Sequence, residues 1–175
     1  CRKLVEPGQP ALREIADNFD KDIIDKSGNL KRNELGQLIF GDSKKREKLE
    51  SILHPKVFEF EKLNYKAICK KNPKALVIVD AALLIESGNH KEMDKVIVIN
   101  ADEKIRIQRI LSRGKWNHEE IVARLKNQMP NEEKIKYADL ILENSRDKKH
   151  LKTQVINLHT SLCLLASKNI SKITP

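Results

Sequence analysis

Apolar residues along the chain first recur at helical spacing and then switch to short unbroken runs. After Gln9-Pro10, residues Ala11, Leu12, Ile15, Ala16 and Phe19 predict an amphipathic helix with proline at its first position. Lys26-Ser27-Gly28-Asn29 predicts a turn. A second helix is expected from near Arg32, with Leu35, Leu38 and Ile39. Gly41-Asp42-Ser43 ends it and caps the next. From Lys44 to about Lys71 the spacing of Leu49, Ile52, Leu53, Val57, Phe60, Leu63 and Ala67 is helical. Pro55 inside that stretch should kink or split it.

The period changes at Ala75-Leu76-Val77-Ile78-Val79, a run of β-formers between Pro73 and Asp80. Runs at 95–100 and 139–144 repeat the pattern. Apolar runs without alternation suit strands buried on both faces of a parallel sheet. Helices are expected between them: Asp102 to Arg113, Asn117 to Gln128 with Asn117 and Glu120 as a capping box, and Glu132 to Tyr137. A last helix carries Leu151, Val155, Leu158, Leu162 and Leu165, and 168–175 reads as a tail. The layout predicts a three-layer α/β fold. Three strands make a thin sheet, so at least one more strand is expected upstream of Cys1.

Composition narrows the function. The 175 residues include 34 Lys plus Arg against 25 Asp plus Glu, a formal net charge of +9, which favours an anionic partner. Aromatic residues are 4%, too few for the stacking platforms of single-strand nucleic-acid binders. The longest apolar run carries Asp80, so no membrane span is expected, and no secretory leader is visible at the N-terminus. Cys1, Cys69 and Cys163 are odd in number and far apart. They predict no disulfide framework and a reduced, cytoplasmic protein, with Cys69 and Cys163 as buried small hydrophobes.

Candidate chemistry concentrates in a few places. Arg106, Arg109 and Arg113 would share one helical face, and neither Arg109 nor Arg113 has an acidic partner at helical spacing. Guanidinium forks match phosphate oxygens, although a solvated basic face has the same pattern. Asp80 ends a predicted buried strand and Glu86 closes the run after it. In open parallel sheets, ligands bind beyond the carboxyl ends of strands. The alternative is an Asp that caps the next segment. His54 beside Pro55 could face a ligand or pack at a kink. No His or Cys spacing suggests a protein-only metal site. The phosphate-cradling pattern G-x-x-x-x-G-K-[ST] is absent; Gly114-Lys115 is followed by Trp116.

The order of these features resembles the dephospho-coenzyme A kinase family, of the P-loop kinase fold. Val5-Glu6-Pro7-Gly8 with Pro10-Ala11-Leu12, Gly28 through Arg32, and Leu49-Glu50-Ser51-Ile52-Leu53-His54-Pro55 are similar to its early segments. Asp80-Ala81-Ala82-Leu83-Leu84-Ile85-Glu86 resembles its D-x-P-L-L-x-E run, with Ala82 in place of the usual proline. Gln108-Arg109 with Arg113, then Gln128, Lys134, Ala138-Asp139 and Asn144, resemble its lid and last strand.

The resemblance implies ATP-dependent phosphorylation of the ribose 3′-hydroxyl of dephospho-coenzyme A, with Mg²⁺. It implies Arg109 and Arg113 as catalytic lid residues on the ATP phosphates. Arg32, His54 and Pro55 would lie along the dephospho-coenzyme A side. Asp80, Leu84 and Glu86 would line the cleft between the ligands, and Asn144 would approach the adenine. Residues 1–43 and 72–100 would be core, 44–71 a substrate-binding region, 101–130 a lid and 131–167 the last strand and helix. The family's P-loop and first, central strand would fall upstream of Cys1, so the chain alone is expected to be inactive. Other P-loop nucleotide or nucleoside kinases are a second reading. A basic, non-enzymatic nucleic-acid binder is a third, without a recognisable module. The leading reading expects small-molecule substrates, no nucleic acid and no membrane.

Overall fold

A computed structural model describes residues 2–19 and 21–170. They form two compact units that divide between Pro73 and Lys74.

The first unit is helical. Helix α1 (Pro10–Asn18) has Pro10 in its first turn and turns Ala11, Leu12, Ile15 and Ala16 inward. A tight turn follows, in which the Asp25 carboxylate accepts the N–H groups of Ser27 at 2.9 Å and Asn29 at 2.8 Å. Gly28 sits there at φ +81°, a conformation that only glycine adopts freely. Helix α2 (Arg32–Phe40) ends at Gly41, and Asp42 caps helix α3 (Ser43–Lys71) by accepting the Lys45 N–H. Val5, Ala11, Ile15, Ile23, Leu35, Leu49 and Ile52 form the core of this unit, with Ile15 fully buried.

Pro55 does not split α3, one of the two outcomes expected of it: the helix runs unbroken for 29 residues. The carbonyl that Pro55 leaves without a donor belongs to Ser51, which is exposed, so water can satisfy it. One continuous helix then keeps Leu49 and Ile52 in the core.

The second unit holds a parallel pair, β1 (Ile97–Asn100) and β2 (Leu140–Glu143), in the register Val98 to Ile141 and Ile99 to Leu142. Between them come α4 (Glu103–Leu111), α5 (His118–Lys126) and α6 (Asn131–Ile135); α7 (Lys148–Ile170) follows. Paired residues on parallel strands point to the same face, so buried Val98 and buried Leu142 lie on opposite faces. Helix α6 packs on β1 and α7 on β2. Each face also keeps an exposed apolar residue, Ile99 at 59% and Ile141 at 48%.

The expected run Ala75–Val79 pairs with no other strand among the described residues, so the sheet there has two strands rather than three. Strong β propensity does not make a strand without a partner to bond it. Ile78 consequently keeps 73% of its surface exposed.

Other boundaries also differ. Helix α4 stops at Leu111 rather than Arg113, because the chain turns through Gly114 at φ +67°. Residues 168–170, expected as tail, continue α7, and 171–175 lie outside the described residues. Cys69 is half-buried and Cys163 exposed, not buried as expected. The Cys163 position faces away from the packed side of α7, where Leu162 is buried. Among the described residues, no helix is long and apolar enough to cross a membrane.

Candidate active site

The carboxyl ends of β1 and β2 carry a dense polar network. Asn100, which ends β1, donates its amide to the Glu143 carboxylate at 3.0 Å and accepts from Asn131 at 2.9 Å. Glu143 also receives the Ser145 hydroxyl at 2.5 Å and the Ser145 N–H at 2.9 Å. The Ser145 hydroxyl, opposed by desolvation and helped by the Ser145 N–H and Asn100, holds the Glu143 carboxyl below the usual range. Gln154 of α7 bonds both the N–H and the carbonyl of Glu143, at 2.9 and 2.8 Å, which ties α7 to β2. The sequence reading did not single out this network. An Asn at the end of an apolar run was its only local signal.

Arg109 reaches the same region from α4. Its Nη1 donates to the Asn144 carbonyl at 2.6 Å and its Nη2 to the Arg146 carbonyl at 3.0 Å. The guanidinium fork therefore spans the chain just past β2. The Asn144 N–H donates to the Asn100 carbonyl at 2.7 Å, which continues the strand pairing by one residue. Arg109 and Asn144 are thus brought together.

Arg113 stands apart from them. It lies in the turn after α4, exposed, and its side chain has no partner among the described residues. Helix α5 begins beyond that turn with the expected capping box between Asn117 and Glu120. Trp116, on the same connection, lies between Lys115 at 5.0 Å and Arg124 at 4.6 Å from its ring centroid. Cation–π contact of this kind gives the connection an anchor.

The run that begins at Asp80 curls into a turn. Asp80 itself is exposed. Leu84 is half-buried, and its carbonyl accepts the His90 N–H at 3.1 Å and the Ser87 hydroxyl at 3.2 Å. Ile85 packs in the core of the second unit with Val96 and Val98. Glu86 pairs with Lys134 of α6 at 2.8 Å and accepts the Met129 N–H at 3.1 Å.

Desolvation pushes the Glu86 carboxyl up, but the hydrogen bonds from Lys134, from its own N–H and from Met129 outweigh it, so its pKa is lowered. A lowered carboxyl stabilises the fold above the unfolded-state pKa, and that contribution is lost as pH falls through the folded value. The difference in stability between the parent and Glu86→Gln should therefore shrink between about pH 5 and pH 3. Urea unfolding at several pH values reads this difference. A constant difference would contradict the pairing.

The remaining candidates belong to the first unit. Arg32 opens α2 and is exposed. His54 is half-buried on α3 and stacks on Phe58 with ring centroids 5.8 Å apart and planes 18° apart. Pro55 is exposed beside it. No group of three or more His, Cys, Asp or Glu among the described residues could hold a metal ion.

Known proteins resemble this chain in sequence and in fold. The family model for dephospho-CoA kinase matches residues 1–150. A dephospho-CoA kinase from Fusobacterium nucleatum is 40% identical over 132 residues, covering 75% of this chain and 66% of the relative. One from Aquifex aeolicus is 36% identical over 156 residues, covering 89% and 77%. The chain spans about two thirds of the F. nucleatum and Syntrophus aciditrophicus relatives, at 66% and 67% of their lengths. The solved dephospho-CoA kinase of Campylobacter jejuni superimposes with a TM-score of 0.60 at 28% identity, over 93% of this chain and 78% of that one. A solved Thermus thermophilus protein gives a TM-score of 0.64 at 28% identity, over 87% and 80%. With the family model covering most of its length, the chain belongs to the dephospho-CoA kinase family.

Proposed function

We propose that the protein transfers the γ-phosphoryl group of ATP to the ribose 3′-hydroxyl of dephospho-coenzyme A, the last step in making coenzyme A. Family membership carries this reading, because the named relatives share 31–40% of their residues with this chain. The 3′-oxygen attacks the γ-phosphorus, the bond to the β–γ bridging oxygen breaks, and ADP leaves. The hydroxyl proton is released to solvent as the new ester forms. Charge builds on the equatorial oxygens of the transferring group, so positioned cations are the main catalytic resource.

The two lid arginines then have different duties. Arg113, exposed and unpaired among the described residues, is free to meet phosphate. Arg109, with Nη1 and Nη2 both engaged, holds the chain at Asn144 and Arg146. That chain lies past the carboxyl end of β2, where nucleotides bind in open parallel sheets, and Asn144 would approach the adenine there. Asp80, Leu84 and Glu86 would line the cleft between the ligands. Arg32, His54 and Pro55 would contact dephospho-coenzyme A, with α3 supplying the substrate-binding region. The connection 112–117, with Gly114 at φ +67°, would let the lid close and exclude water.

ATP and Mg²⁺ enter through the family reading. The described residues supply no metal-ligand cluster, so no step here is assigned to the ion. The proposal is tested by incubating the full-length gene product with ATP and dephospho-coenzyme A. The expected product is one phosphoryl group heavier, with the phosphate at the ribose 3′-position. Consumption of ATP without that product would overturn it.

A further inference from the structure

Lys134 is matched by family resemblance but has no part in the mechanism above, and its surroundings are unusually specific. It sits on α6, a helix whose Ile135 packs with Ile85, Val96 and Val98. Its Nζ donates to the Ala82 carbonyl at 2.9 Å and to Glu86 at 2.8 Å. The Lys134 and Glu86 side chains retain only 14% and 22% of their accessible surface. Glu86 is exposed as a whole residue and Lys134 half-buried, so the contact is partly shielded from water, and its partners span one turn. The same Glu86 oxygen accepts the Met129 N–H at 3.1 Å, so three separate segments meet at this point.

The contact adds to the turn's own backbone bonds. The Ser87 and Gly88 N–H groups close the turn onto the Leu83 and Ile85 carbonyls at 3.0 and 2.9 Å. Neither of those bonds reaches its first residue. Lys134 is the donor that fixes Ala82, two residues after Asp80. It therefore ties the start and the end of the 82–86 turn to one rigid helix.

We propose that Lys134 is a positioning residue, which acts through Ala82 and Glu86 to hold the Asp80–Glu86 segment in place for the reaction. The proposal rests on the reading of that segment as cleft lining. Lys134→Met should then lower kcat/KM about 10- to 100-fold, the scale set by small misplacement of a positioned group. Lys134→Arg, which keeps a charged donor, should recover most of that loss. Glu86→Gln should cost less on top of Lys134→Met than it does in the parent, because the Lys134–Glu86 ion pair is already lost.

Hydrogen exchange on the same variants provides a readout independent of activity. Amides of 82–87 should exchange about tenfold faster in Lys134→Met, with those of β1 unchanged. Unchanged exchange at 82–87, or a uniform rise across the chain, would overturn the positioning role. Should Lys134→Met fail to fold, Glu86→Gln, which removes the charged partner of Lys134, should speed exchange at 82–87 in the same direction while Lys134→Arg leaves it near the parent value. If the parent protein makes no coenzyme A while the local exchange effect appears, the functional reading fails and the clamp stands. If activity is present and exchange and kcat/KM are both unmoved, the clamp alone fails.

Discussion

Replacing Arg113 with alanine is expected to lower kcat by about 10²-fold or more while leaving thermal stability nearly unchanged. Arg113 is exposed and its guanidinium makes no hydrogen bond or ion pair with another described residue, so its removal breaks no polar contact that holds the fold. Exposed substitutions of that kind cost within about 0.5 kcal/mol. The activity loss follows from phosphoryl transfer, where a mobile arginine neutralises charge that exists only in the transition state. Steady-state kinetics and a melting curve on the same preparation check both halves. A large fall in melting temperature, or an unchanged kcat, would return Arg113 to ordinary solvated surface.

Arg109→Ala should behave differently. It deletes a two-pronged contact to the Asn144 and Arg146 carbonyls, and the expected cost is about 2 kcal/mol, as for hydrogen bonds from a charged donor. Activity should fall as well, through release of the chain past β2. Arg109→Lys should recover only part of the stability, since an ammonium lacks the planar fork that reaches two carbonyls at once. Denaturant unfolding with hydrogen exchange at 144–147 measures this. Wild-type stability combined with lost phosphate affinity would mean that Arg109 leaves its carbonyls to bind ATP.

The contrast between these arginines marks where sequence reasoning stops. On a helical wheel they look alike, both lacking an acid at helical spacing. The partners of Arg109 are backbone carbonyls 35 and 37 residues further along, and no side-chain pattern announces a carbonyl. Arg113 differs only because the helix ends two residues before it. Glu86 and Lys134 are likewise far apart in sequence, and their contact is made by the packing of α6 on β1.

Local chemistry was legible in full. The Asn117–Glu120 box needs only residues three apart, and the structure has it as expected. Asp42 caps α3 for the same reason. Pro55 and Ala75–Val79 show the limit from the other side. Proline breaks a helix when the freed carbonyl cannot be satisfied, and here that carbonyl belongs to exposed Ser51. A β-rich run becomes a strand when a neighbour pairs with it, and among the described residues none does. Both outcomes are decided by surroundings that composition does not contain.

The identity of the acceptor defines the proposed reaction. It is tested most directly by comparing kcat/KM of the full-length gene product for dephospho-coenzyme A with values for nucleoside monophosphates and nucleosides, at one ATP concentration. The account predicts a preference for dephospho-coenzyme A of about 10²-fold or more, since a site that engages the extended substrate disfavours acceptors that leave its polar groups unpaired. Efficient turnover of a nucleoside monophosphate, with none of dephospho-coenzyme A, would contradict it.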